Sequence, residues 1–133
     1  MKKLLIVLAL VVLSCSTAFA WPTWTGTAVL TQATDNNTTA AVSVPRDCKS
    51  NVSLHLPTID SSTVAVHVSE DGTTYLPLWY NDGAAAAPAA WLIGAGTGGF
   101  AFEIPRTALT YKYMRFEFGT AQTANRTLTV TCN

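Results

Sequence analysis

Apolar side chains recur at every second position along most of this chain. Val52, Leu54 and Leu56 alternate with Ser53 and His55. Val64, Val66 and Val68 alternate with Ala65, His67 and Ser69. The same period returns at Phe100, Phe102 and Ile104, at Met114, Phe116 and Phe118, and at Leu128, Val130 and Cys132. Each set predicts a strand with one face buried and one wet. The expected core is therefore Val52, Leu54, Leu56, Val64, Val66, Val68, Phe102, Phe116 and Val130. Weaker strand patterns cover residues 25–32, 38–44 and 74–80. No segment after residue 20 carries a helical period.

Turn residues agree with this pattern. Asp71-Gly72 separates two β-rich runs, a hairpin signal, because Gly accepts a positive φ. Asp35-Asn36-Asn37 breaks the first two strands, and residues 57–62 and 105–110 read as longer connections. Many short strands without a helix predict an all-β chain. The expected architecture is a two-sheet antiparallel sandwich, jelly-roll or Ig-like. Residues 82–99 interrupt the period: an alanine run, Pro88, the short apolar Trp91-Leu92-Ile93, then a glycine-rich stretch. This reads as a long, mobile excursion at one end of the sandwich, around one candidate short strand at Trp91-Leu92-Ile93.

The first twenty residues follow a different rule. Lys2 and Lys3 precede an unbroken apolar run from Leu4 to Leu13, and Ala18-Phe19-Ala20 is a small-x-small cleavage site. This is an export signal, with the mature chain starting at Trp21 as one domain, 21–133. A second reading takes Val12-Leu13-Ser14-Cys15 as a lipobox with Cys15 lipidated, which would tether the domain to a membrane. Either way the expected location is extracytoplasmic: secreted, periplasmic or at the cell surface. Cleavage after Ala20 leaves Cys48 and Cys132, and an even pair in an exported chain predicts a disulfide.

Of the 8 Lys and Arg, two go with the signal, which leaves six against 8 Asp and Glu. Basic residues are not clustered, so nucleic acid is not an expected partner. Catalysis is not expected either. No serine sits in a nucleophile elbow, and Glu70 and Asp71 lie in a turn. Glu103 and Glu117 share the polar parity, but Lys112 and Arg115 lie within reach of such carboxylates. His55 and His67 are symmetric about Ser61, so a hairpin centred there would oppose them. Two ligands are too few for a metal site, and no cofactor is expected. Sequons at Asn36, Asn37, Asn51 and Asn125 indicate surface placement only.

The aromatic residues Trp21, Trp24, Trp79, Tyr80 and Trp91 offer two readings: a sugar-stacking platform, or core packing and edge cover. Trp21 and Trp24 at the mature terminus need cover from the domain's own sheet or a neighbouring subunit. The candidate ligand-binding residues are Trp79, Tyr80, Asp82 and Trp91, at the end carrying residues 82–99.

From Val44 onward the chain resembles small β-sandwich structural proteins of tailed bacteriophages, virion or virion-associated. The residues that carry the likeness are Pro57-Thr58-Ile59-Asp60-Ser61 and Val66-His67-Val68-Ser69-Glu70-Asp71-Gly72-Thr73-Thr74-Tyr75. They continue in Tyr113-Met114-Arg115-Phe116 and Gly119-Thr120-Ala121-Gln122-Thr123-Ala124-Asn125-Arg126-Thr127. Roughly two thirds of the chain is covered. The resemblance implies a structural role, and an ordered turn over 119–126, closed by Arg126. The export signal departs from that pattern, since proteins assembled into virions in the cytoplasm do not normally carry one. The expectation is a non-catalytic exported module, structural or adhesive, of phage origin, whose partner is a protein or a surface glycan. The alternatives are a carbohydrate-binding module and a small surface lipoprotein tethered at Cys15.

Overall fold

Alternation of buried and exposed side chains runs through nearly every strand of the computed structural model, which describes residues 23–48, 51–80 and 89–132. In chain order the strands are β1 (Trp24–Leu30), β2 (Val42–Ser43), β3 (Val52–His55), β4 (Thr58–Ser69), β5 (Leu76–Pro77) and β6 (Trp79–Tyr80). They continue as β7 (Ala89–Ala90), β8 (Leu92–Gly98), β9 (Ala101–Ile104), β10 (Tyr113–Phe118) and β11 (Arg126–Cys132). Among the described residues the helical segment is a single 3-10 turn, Arg106–Thr110. Residues 1–20, where the export signal and Cys15 are expected, the pair Trp21-Pro22, Lys49 and Asp82 lie outside the described residues.

Two antiparallel sheets share one core. The first runs β1-β11-β3-β9; the second runs β2-β10-β4-β5, with β8 also on β4. A short ribbon pairs β6 with β7. The inward positions of both sheets form one cluster, with Phe116, Phe118, Leu30, Leu54 and Leu128 fully buried. Burying each such side chain stabilises the fold by roughly 1.5–3 kcal/mol. Cys48 and Cys132 are bridged as expected, with Cα atoms 5.8 Å apart and a sequence separation of 84.

The predicted core is buried except at its edge. Phe102 is only partly buried, and Phe100, on the same parity, is 55% exposed. The cause is position. β9 is an edge strand with a neighbour on one side only, and Phe100 stands before it. The two rings meet edge to face, with centroids 6.1 Å apart, so Phe100 covers Phe102 rather than entering the core.

Four segments differ from expectation. Residues 57–62 are not a loop: β4 begins at Thr58 and runs 12 residues, with its register against β8 shifting around Ser62. The glycine-rich part of 82–99 is not an excursion but β8 itself. Its inward positions are Ile93, Ala95 and Gly98. The backbone there needs glycine. Gly98 has φ 76°, and a Cβ at that position would run into the carbonyl oxygen of Pro57. Finally, 38–44 shrinks to β2 plus an isolated bridge from Thr38 to Glu117, and 74–80 splits at Leu78 into β5 and β6.

The turns are held by carboxylates. One Asp71 oxygen accepts from the Ser69 hydroxyl at 2.9 Å and from the backbone N–H groups of Thr73 and Thr74 at 2.8 Å each. The Ser69 hydroxyl in turn accepts from Gly72 N–H, where φ is 74°. Asp35 caps Asn37 and Thr38 in the same way, at 2.9 Å each.

Candidate functional site

The 3-10 turn between β9 and β10 borders two clefts. Pro105 precedes the turn, and the Ala108 N–H donates to its carbonyl at 2.9 Å. Ala108 is fully buried and Leu109 packs on the core, so the segment is anchored on one side. That anchoring leaves Thr107, Thr110 and Tyr111 on the rim. On one flank they face Leu76, Pro77 and Trp79 across a cleft of ≈ 450 Å³. On the other flank Thr110 and Tyr111 line a second cleft of ≈ 310 Å³ with Arg46, Glu70 and Lys112. Thr110 and Tyr111 thus form a wall common to both.

Alternation after Leu78 and the sheet edge together explain the exposed apolar side chains at the first cleft. The Leu78 N–H donates to Val66 O at 2.8 Å, and the Leu78 side chain is buried in the core. Its neighbours on either side must then point the other way. Trp79 is 54% exposed, and Leu76, on the same parity as the buried Leu78 but at the sheet edge, is 62% exposed. Large exposed apolar side chains gathered beside one cleft are the kind of feature that marks a binding surface.

Of the four residues singled out from sequence, the structure brings only Trp79 to this cleft. Trp79 pairs with Ala90 across the β6–β7 ribbon, so the next residue, Trp91, belongs to the opposite face. Trp91 packs on the core, its N–H bonded to Leu78 O at 2.8 Å. Tyr80 pairs with Ala89, its side chain being outside the described part, and Asp82 is outside the described residues. Sequence reasoning missed Leu76, Pro77, Tyr111, Arg46 and Lys112. The only signal for Tyr111 was an aromatic residue at the end of a proline-led connection.

The other candidate groups separate. His55 lies on β3 and His67 on β4, in different sheets, because the chain crosses between sheets at Pro57 instead of turning at Ser61. His55 meets the Thr131 hydroxyl at 3.3 Å, and His67 Nε2 lies 3.0 Å from a Glu117 oxygen. Burial holds the His67 pKa below 6.5, and Arg115 adds to that, while Glu117 opposes it. Glu103 sits on β9 in the first sheet and Glu117 on β10 in the second, so they are not a facing carboxylate pair. Arg115 stacks on the Tyr75 ring, 4.3 Å from its centroid, and burial raises the Tyr75 pKa. Among the described residues no three His, Cys, Asp or Glu side chains come together as a metal site would require.

One further polar cluster fixes the fold. Gln122 is 1% exposed in the loop between β10 and β11. Its Oε1 accepts from Asp60 N–H at 2.9 Å and Arg126 Nε at 3.3 Å; its Nε2 donates to Thr120 O at 3.0 Å and Asp60 O at 3.3 Å. Arg126 also reaches the Asp60 carboxylate at 3.1 Å. The Thr123 backbone N–H and hydroxyl hold the Asp60 pKa below 3.8, with Arg126 adding to them.

The chain was compared with protein families, with curated proteins and with solved structures, and none of the three comparisons returned a match.

Proposed function

We propose that this chain is an exported, non-catalytic β-sandwich, jelly-roll or Ig-like, that works as a binding or structural module through the cleft beside Tyr111. One observation carries the reading: Trp79 and Leu76 stand exposed beside a recess whose walls are anchored in the core. Leaving such side chains in water is unfavourable unless something covers them in use. The Cys48–Cys132 bridge supports an oxidising, extracytoplasmic location, where such bonds persist. The resemblance to tailed-phage structural proteins supports a phage origin for the scaffold. Cys48 and Cys132 are consumed in the bridge and so supply no thiol nucleophile. A surface glycan is the alternative partner to a protein, because an exposed indole can stack on a sugar ring.

The test is NMR titration of the ¹⁵N-labelled exported chain with a panel of oligosaccharides and short peptides. A true ligand shifts the Trp79 indole and the Tyr111 and Leu76 amides. Trp79→Ala should lower affinity at least about tenfold while leaving stability within about 0.5 kcal/mol, as for other exposed positions. Ligand-induced shifts confined to the outer sheet faces would move the site elsewhere.

A further inference from the structure

We propose that the two clefts form one site for an acidic oligosaccharide, with a sugar ring on Trp79 and its carboxylate or sulfate between Arg46 and Lys112. This rests on the binding reading above and adds the chemical class of the ligand. The first observation is contiguity. The clefts measure ≈ 450 and ≈ 310 Å³ and meet at Thr110 and Tyr111. Each lies within the range of about 300–1,000 Å³ typical of ligand sites. The second is which positive charges reach the clefts. Five of the basic residues after the export segment are described. Arg126 pairs with Asp60, Arg115 stacks on Tyr75, and Arg106 donates to Asn51 at 3.3 Å. The remaining two, Arg46 and Lys112, both line the second cleft. Lys112 rests 5.1 Å from the centroid of the Tyr113 ring, a contact that positions the ammonium and leaves its N–H donors open. Two cations face one carboxylate there, Glu70, so the cleft is locally positive on a chain with an acidic surplus after the signal.

A sugar fits better than an acidic peptide. An extended peptide is held by backbone hydrogen bonds to a sheet edge. The edge at this cleft is β5, two residues long, and one of them is Pro77, which has no N–H. What the cleft offers is an open indole face, a phenol and threonine hydroxyls. A pyranose presents polarised C–H groups to an aromatic face and hydroxyls at its rim, which matches that set.

The test uses the full exported chain on an array of uronate-bearing, sialylated and sulfated oligosaccharides alongside neutral ones. Calorimetry then compares the best uronate with its carboxyl-reduced form. The expected result is acidic binding that weakens with salt and falls at least about tenfold on carboxyl reduction. Arg46→Gln and Lys112→Gln should each weaken it about fivefold, the scale of one partly screened charge contact. Glu70→Gln should tighten it about as much, a gain that misfolding cannot imitate. Neutral glycans bound as tightly, with loss on Trp79→Ala, would overturn the acidic class and leave the cleft reading standing. No saccharide bound, with Trp79→Ala immaterial to every ligand, would overturn both. A dimer that light scattering shows to dissociate on Trp79→Ala would assign the face to a second copy and overturn the proposal.

Discussion

Gln122→Leu should destabilise the fold by about 3 kcal/mol, although it swaps one side chain for another of similar volume. The amide is buried and its orientation is unambiguous: Asp60 N–H can only donate, and Thr120 O can only accept. Leucine removes all four contacts. The Asp60 N–H is left without its partner, a loss of about 1–3 kcal/mol for a buried donor. Two carbonyls lose one donor each, and Arg126 loses a partner while keeping the Asp60 carboxylate. These sites are part-buried, so water recovers some of the loss, and the added apolar area offsets a little more. At roughly 4 °C per kcal/mol for a domain of this size, the midpoint should fall by about 10 °C.

Gln122→Glu sharpens the test. A carboxylate oxygen would replace the donating Nε2 opposite two carbonyl oxygens, with Asp60 beside it. At pH 7 this variant should be less stable than Gln122→Leu. Near pH 4 part of the deficit should return, as the new carboxyl takes up a proton and donates again. Urea denaturation of the three proteins at both pH values measures this, with equal m-values confirming that the denatured state has not changed. A Gln122→Leu midpoint within about 2 °C of the parent would mean that the loop is not held by these bonds. Equal behaviour of the two variants at pH 7 would mean that the amide is oriented otherwise.

Two further outcomes follow from the bridge and the carboxylates. Reducing Cys48–Cys132, or replacing both with serine, should cost about 4.6 kcal/mol in the chain-entropy treatment for a loop of 84 residues, read as a drop in urea midpoint; an unchanged midpoint would refute it. Stability should also fall on acidification in two windows. Below pH 6.5 the unfolded chain protonates His67 more readily than the folded one, so stability drops until the lower folded pKa is passed. Below about pH 3.8, Asp35, Asp60 and Asp71 act the same way, because hydrogen bonds hold all three folded pKa values down. His67→Gln should flatten the first window and Asp71→Asn part of the second. A titration indifferent to both variants would contradict the assignments.

What was legible in the sequence was legible because of residue size. β3, β4, β10 and β11 put Val, Leu or Phe at their inward positions, and period two announced them. β8 keeps the alternation only at Ile93 and Ala95 before slipping to Gly98, and small residues such as Ala95 and Gly98 carry little hydropathy signal. Gly98, one of the glycines that made the segment look like a loop, is what lets the strand pass Pro57. The ordered turn over 119–126 was readable, including its closure by Arg126. The apposition of His55 and His67 was not, since a symmetric spacing assumes a hairpin and Pro57 instead carries the chain from one sheet to the other. The disulfide was readable once the export reading set Cys15 aside and left an even pair. The cleft was readable only in Trp79. Its other walls come from segments near residues 46, 70, 76 and 111, and topology rather than any local pattern brings them together.

The two ends of β10 divide the work of the molecule. Its C-terminal end, Phe118, leads into the loop where Gln122, Asp60 and Arg126 satisfy one another within the chain. Its N-terminal end, Tyr113, follows directly on Tyr111 and Lys112 at the cleft. The strand is six residues long from end to end, roughly 20 Å. At one end nearly every polar group already has an internal partner, so substitution there registers as lost stability. At the other, Arg46, Lys112 and Trp79 have little among the described residues to satisfy or cover them, so substitution should register in binding and hardly in stability. The Asp71 cap is the exception that links the two. It holds the hairpin that carries Glu70 into the second cleft, so Asp71 variants should alter both properties, which Gln122 and Trp79 variants should not. Coupled losses in stability and binding at all three positions would mean that the cleft is simply a part of the core left uncovered.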